Sequence, residues 1–149
     1  MARTIDDLLA EARSRISRLD PLAAAKAVEA GAALIDIRPE SQRRADGEIP
    51  GAFVIDRNVL EWRLDPASDH RVPEIAKRDR LIVVLCNEGY ASSLAAATLR
   101  ELGLQATDVI GGFGAWVAAE LPTRPGLAST PEGVARAASP APKGRSGPH

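Results

Sequence analysis

Apolar positions along this chain recur with two different periods. In "TIDDLLAEARSRIS", Ile5, Leu8, Leu9, Ala12 and Ile16 repeat at helical spacing behind Thr4, which is suited to cap a helix. "DPLAAAKAVEAG" predicts a second helix, with Asp20 at the cap, Pro21 at the first helical position and Gly31 just past the end. "ALIDI" (33–37) and "AFVI" (52–55) read as short strands, the second entered through the turn formed by Pro50 and Gly51. "LIVVL" (81–85) is apolar at every position, which suits the centre of a parallel sheet covered on both faces. "SSLAAATLRELG" predicts a helix ending at Gly103, "ATDVIGG" a fourth strand with a glycine stop, and "FGAWVAAEL" a short helix before Pro122. No internal repeat interrupts this series.

Strands alternating with helices predict an α/β domain with a parallel sheet and right-handed crossovers. Sites in such sheets lie beyond the carboxyl ends of the strands. Cys86 follows "LIVVL" directly and precedes a helix, so it falls at that end.

Composition sharpens the boundaries. The chain has 149 residues, 45% of them hydrophobic but only 3% aromatic, so one domain is expected with a core of Ala, Leu, Val and Ile. From Thr123 the text becomes "TRPGLASTPEGVARAASPAPKGRSGPH", without apolar periodicity. Such a Pro/Ala/Gly/Ser segment cannot bury enough surface to offset its chain entropy and is expected to be disordered. The expected organisation is therefore an N-terminal helical extension over 1–19, a folded domain over 20–122 and a tail over 123–149.

Charge and rare residues exclude several chemistries. The net charge of −1 gives no sign of binding to nucleic acid or to a membrane. No segment approaches the roughly 20 apolar residues of a membrane span, and the start lacks an apolar signal core, so a cytoplasmic location is expected. The only histidines are His70 and His149, which leaves no usual metal-ligand spacing and no ready Cys-His or Ser-His-Asp set. No metal or cofactor is expected.

The chemistry concentrates in "CNEGYAS", residues 86–92, which holds the chain's one cysteine. Gly89 allows a tight turn that points successive N–H groups inward, and the following helix adds unsatisfied N–H groups and the positive end of its dipole. Ser92 or Ser93 can cap that helix. A thiolate at the focus of such donors is favoured over the thiol, so Cys86 can be nucleophilic without a histidine. The alternative is a buried cysteine acting as a small hydrophobe at a strand end.

Four ordered pieces of the chain resemble the single-domain rhodaneses. "LIDIRPES" is similar to the family's first strand and Asp-x-Arg signature, through Asp36 and Arg38. "GEIPGAFVI" is similar to a Gly-His-Ile-x-Gly-Ala segment, with Glu48 where histidine is usual. "VVLCNEGYASSLAAATLRELG" resembles the active-site strand, loop and helix, and "VIGGFGAW" the closing Gly-Gly segment with Trp116.

The resemblance implies a rhodanese-like α/β fold, a five-stranded parallel sheet flanked by helices. It also implies a sulfurtransferase: Cys86 takes a sulfane sulfur from a small-molecule donor or a partner protein's persulfide. It then passes that sulfur to a thiol or cyanide-like acceptor. Asn87, Glu88, Gly89, Tyr90, Ala91 and Ser92 would form the active-site and substrate-binding loop, with Asp36 and Arg38 in support. Arg38 can pair with Asp36 or Glu40, and Trp116 is expected in the core. Arg43, Arg44, Arg57 and Trp62 can each lie at the pocket mouth or on the surface. A rhodanese-like binding or regulatory module that turns nothing over is the alternative.

Two features of the loop bear on selectivity. Related phosphatases carry Cys-x5-Arg, and that arginine position is Ser92 here, which removes a bidentate phosphate contact. Many thiosulfate-using relatives carry a basic loop residue, whereas Glu88 makes this loop anionic. A carboxylate about 7–10 Å from the sulfur opposes added negative charge by about 2 kcal/mol at an effective dielectric of about 20, less if it faces solvent. Thiosulfate is therefore expected to be a poor donor, and Tyr90 to give the pocket an apolar wall.

Overall fold

The computed structural model describes residues 2–126. The tail expected to be disordered therefore lies outside the described residues beyond Gly126. Its first part does not fit that expectation. Arg124 forms an antiparallel bridge with Glu48, with N–H···O distances of 2.8 and 2.9 Å in the two directions, and Gly126 is buried. The ordered chain thus runs past Thr123.

Among the described residues, six α-helices and four strands follow in the order α1 (Ile5–Ser14), α2 (Pro21–Glu29), β1 (Ala33–Asp36), α3 (Glu40–Asp46), β2 (Phe53–Val54), α4 (Leu60–Leu64), β3 (Ile82–Leu85), α5 (Ala91–Glu101), β4 (Ala106–Asp108) and α6 (Gly112–Ala118). A single 3-10 turn, Arg57–Val59, leads into α4. Thr4 caps α1 in a reciprocal capping box with Asp7, and Asp20 caps α2 ahead of Pro21. The helix α3 buries no residue, and α4 is only five residues long, so neither carried a readable apolar period.

All strand pairs are parallel, in the spatial order β2-β1-β3-β4. This is the α/β fold with a parallel sheet that the sequence led us to expect, with four strands among the described residues rather than five. At the β4 edge a single parallel bridge joins Leu19 to Val109. It cannot lengthen because Asp20 already caps α2 and Pro21 has no N–H to donate.

The central strand β3 is buried along its length, and its alternation assigns its side chains to two cores. Ile82, Val84 and Cys86 face one layer with Leu60 and Leu64 of α4 and Ala95, Ala96 and Leu99 of α5. Val83 and Leu85 face the other with Ala24 of α2 and Phe113 and Trp116 of α6. Trp116 is a core residue as expected, and its Nε1–H donates to the Pro122 carbonyl at 3.0 Å. The α1 face is less complete than its spacing implied: Ala12 and Ile16 are buried against α5, whereas Ile5 and Leu8 are exposed. Among the described residues, no helix is long and apolar enough to cross a membrane.

The start of α6 fixes the loop after β3. Gly112 has φ +61°, and a Cβ there would stand 2.4 Å from the Cys86 carbonyl oxygen and 2.7 Å from the Asn87 carbonyl carbon. Only glycine allows so close an approach of two backbones. Chemical denaturation is expected to show Gly112→Ala losing about 3 kcal/mol, comparable with the cavity-forming Leu99→Ala, while Leu8→Ala stays within about 0.5 kcal/mol. A neutral Gly112→Ala would contradict this packing.

Candidate active site

The site is built around one sulfur atom. Cys86 continues the inward phase of Ile82 and Val84, and its residue is 8% exposed. Gly89, with φ +89°, turns the chain back over it. The Gly89 N–H donates to Sγ at 3.1 Å and the Ser92 N–H at 3.4 Å.

Ser92 and Ser93 do not cap α5. The N-cap position is Tyr90, which provides no side-chain acceptor, and both serines lie within the first helical turn. The thiol sulfur receives the Ser92 N–H that a capping oxygen would ordinarily take. Cys86 therefore sits where the positive end of the α5 dipole acts on it.

The serine hydroxyls turn inward. The Cys86 thiol lies 3.2 Å from Ser92 Oγ and donates to it, and Ser92 Oγ–H donates to Asp108 Oδ2 at 2.8 Å. Ser93 Oγ–H also reaches Asp108 Oδ2 at 2.8 Å. Asp108 is fully buried because it shares the β4 face with Ala106, which packs under α5. Arg18 offsets its charge, with Nε 2.8 Å from Oδ1 and Nη2 3.1 Å from Oδ2.

Arginines also hold the outside of the loop. Arg13 Nη2 and Arg18 Nη2 donate to the Gly89 carbonyl at 2.8 and 2.9 Å. Arg13 Nε donates to Ser93 Oγ at 3.1 Å, and its guanidinium lies 5.4 Å from the Tyr90 ring centroid. The Cys86 carbonyl accepts from Phe113 N–H at 2.8 Å and the Asn87 carbonyl from Gly114 N–H at 3.3 Å.

The remaining nominated residues separate by position. Asn87 is half-buried, while Glu88, Tyr90 and Ala91 are exposed. Tyr90 stands 57% exposed with Arg13 against its ring, so it does not form the enclosed apolar wall expected of it. Asp36 and Arg38 form a buried ion pair at 2.8 Å, and Arg38 also reaches the Gly47 carbonyl. The Arg38 guanidinium stacks 3.8 Å from the Phe113 ring centroid. The pair therefore reaches Cys86 only indirectly, by holding the residue whose N–H binds its carbonyl.

Glu48 pairs with Arg43, Arg44 with Glu40 and Arg57 with Glu61, and Trp62 is 56% exposed. Beside the loop, Ala45, Asp46, Asn87, Glu88, Phe113 and Val117 line an open cleft of about 700 Å³ that carries two acids and no basic side chain. Cys86 does not line it. Among the described residues, no three of His, Cys, Asp and Glu gather to hold a metal ion.

Sequence reasoning missed Arg13, Arg18, Ser93 in its true role, and Asp108. Asp108 had a readable signal, a lone acid in phase with a buried alanine in a short strand. Arg13 and Arg18 had none, because they meet Gly89 across 76 and 71 residues of chain.

Comparison with known proteins bears on the fold and the family. A structure from Rhodopseudomonas palustris, described as a protein of unknown function and possible tyrosine phosphatase, is 36% identical, with a TM-score of 0.76 over 83% of this chain and 96% of that one. The polysulfide-sulfur transferase homodimer of Wolinella succinogenes is 25% identical, with a TM-score of 0.63 over 77% of this chain and 82% of that one. The adenylyltransferase and sulfurtransferase UBA4 of Lodderomyces elongisporus is 38% identical over 86 residues, which are 56% of this chain but only 18% of that protein. The family model for the rhodanese-like domain matches residues 20–119, a span that holds the sheet, the cysteine loop and α6. On that match the chain belongs to the rhodanese-like domain family.

Proposed function

We propose that this domain is a sulfurtransferase that carries sulfane sulfur as a Cys86 persulfide. The observation that bears most on this reading is the sulfur at the focus of two backbone N–H groups and a helix start. Those donors favour an anion on the sulfur, and they are fixed before any substrate arrives. The Cys86 thiolate attacks the outer sulfur of a donor R–S–S⁻. A new S–S bond forms at Cys86, the donor S–S bond breaks, and RS⁻ leaves with the electron pair. An acceptor nucleophile then attacks the terminal sulfur of the persulfide and releases the Cys86 thiolate. This is thiol–disulfide exchange in form, with no net change in the protein's oxidation state.

The preferred donor on this reading is a low-molecular-weight persulfide or a persulfide on a partner protein. Glu88 and Asp46 face the cleft beside the loop, and no basic side chain lines it. Arg13 and Arg18 are turned onto the Gly89 carbonyl, outside the loop, rather than into that cleft. A dianion such as thiosulfate meets like charge from Glu88 and Asp46 beside the loop. A phosphatase, raised by the description of the Rhodopseudomonas palustris structure, is disfavoured because Ser92 stands where a phosphate-clamping arginine would be and its hydroxyl is bound to Asp108.

Whole-protein mass spectrometry after exposure to sulfane-sulfur donors is expected to show the gain of one sulfur atom, lost in Cys86→Ser. No gain with any donor would favour a binding module, and Cys86-dependent turnover of an aryl phosphate would favour the phosphatase.

Steady-state kinetics test the donor. Wild-type protein should use thiosulfate poorly, and Glu88→Gln should raise its kcat/KM severalfold, less than the roughly thirtyfold an unscreened 2 kcal/mol would give. Efficient thiosulfate turnover indifferent to that change would refute the donor assignment.

A further inference from the structure

The Ser92 hydroxyl has one proton and two acceptors within reach. One is Asp108 Oδ2 at 2.8 Å, and the other is Cys86 Sγ at 3.2 Å. With a neutral thiol the arrangement is satisfied, since S–H donates to Oγ and O–H donates to the carboxylate. Once the sulfur is an anion it has no proton to give. Either Ser92 turns its proton to the sulfur, or the anion faces an oxygen lone pair. Which of these occurs depends on how strongly Asp108 holds the hydroxyl.

Arg18 sets that competition. It engages both carboxylate oxygens of Asp108, and Ser93 supplies a further donor to Oδ2. Asp108 thus keeps its charge offset and three donor contacts when Ser92 turns away. We propose that Arg18 is a positioning residue for Cys86: by neutralising buried Asp108 it frees the Ser92 hydroxyl to donate to the cysteine sulfur when that sulfur carries negative charge. The proposal rests on the sulfurtransferase reading only in taking the Cys86 anion as the reacting species. Arg18 lies before residues 20–119, the span matched by the family model.

The surrounding charges leave Arg18 in this role. From α1, Arg13 faces the loop but binds Gly89 and Ser93 rather than Asp108. The part of α5 beside the sulfur offers Ser92 and Ser93, and α6 carries no charged side chain. Arg63 of α4 is turned to the His70 carbonyl. Asp36 of β1 is paired with Arg38, and Glu88 of the loop is exposed.

The chain's one cysteine makes the test specific, since iodoacetamide alkylation reports on Cys86 alone. Initial rates are measured across pH for folded wild type, Arg18→Gln, Asp108→Asn and the double variant, with circular dichroism as the check on folding. Arg18→Gln uncovers a carboxylate that only the Ser92 hydroxyl separates from the sulfur, so its profile should move to higher pH and its rate on the acid limb should fall at least tenfold. Asp108→Asn leaves Arg18 unopposed and should move the profile to lower pH. The double variant should return towards wild type, which two independent structural defects would not do. Arg13→Gln removes the same charge and the contacts to Gly89 and Ser93 without uncovering Asp108, and should move the profile far less.

If Arg18→Gln does not fold, Asp108→Asn and the double variant decide. Unmoved profiles in the folded single variants, or a double variant no closer to wild type, would overturn the role of Arg18. Alkylation reads the sulfur anion without any sulfur donor, so this outcome is independent of whether the protein accepts sulfane sulfur.

Discussion

Turning backbone N–H groups inward around a sulfur atom has a consequence for the carbonyls. They point outward, and here outward means into protein. Each buried carbonyl left without a donor costs about 1–3 kcal/mol, so the surroundings must supply donors. The carbonyl of Cys86 takes the Phe113 N–H, that of Asn87 takes the Gly114 N–H, and that of Gly89 takes Arg13 and Arg18. Much of the rest of the architecture follows from these donors. Gly112 must lack a side chain so that α6 can approach. Arg38 and Asp36 hold Phe113 in place from β1. The α1 helix packs on α5, which brings Arg13, and Arg18 just past the helix, within reach.

On the proposed function, this division of labour is how a loop with no basic residue would serve an anionic sulfur. The inward face offers fixed dipoles, and the two guanidinium groups lie behind it. They act through the field and through Asp108 rather than as ligands. Glu88 opposes them weakly, because an exposed carboxylate is screened by water and salt. Arg13 and Arg18 bring two positive charges to the back of the loop, against the one buried negative charge of Asp108.

The strand-to-cysteine part of this design was readable. A fully apolar strand followed at once by Cys-Asn-Glu-Gly places a sulfur at the carboxyl end of a parallel sheet, and the four ordered segments gave the family. What could not be read depends on a third dimension. Helix starts are uncertain by a residue or two, and that margin separates a serine that caps α5 from one that turns inward to Asp108. The single bridge at Leu19, in place of a fifth strand, depends on where α2 is capped. The helices α3 and α4 are short and follow their neighbours' packing rather than a period of their own. The arginines reach the loop from α1 and the segment after it, and no local pattern marks an exposed-looking helix as part of a site.

The N-terminal segment is bound into the domain by charge as well as by packing. Residues 1–19 looked like an extension of a domain beginning at Asp20. Yet Asp108 is fully buried, and its balancing charge is Arg18. Removing the partner of a buried pair leaves an uncompensated charge at a cost of about 3–5 kcal/mol, a large part of a small domain's stability. The same segment supplies Ile16 and Ala12 to the packing against α5, and the Leu19 bridge to the edge of β4. The charge that offsets buried Asp108 thus comes from Arg18, in chain that precedes residues 20–119, the stretch matched by the family model.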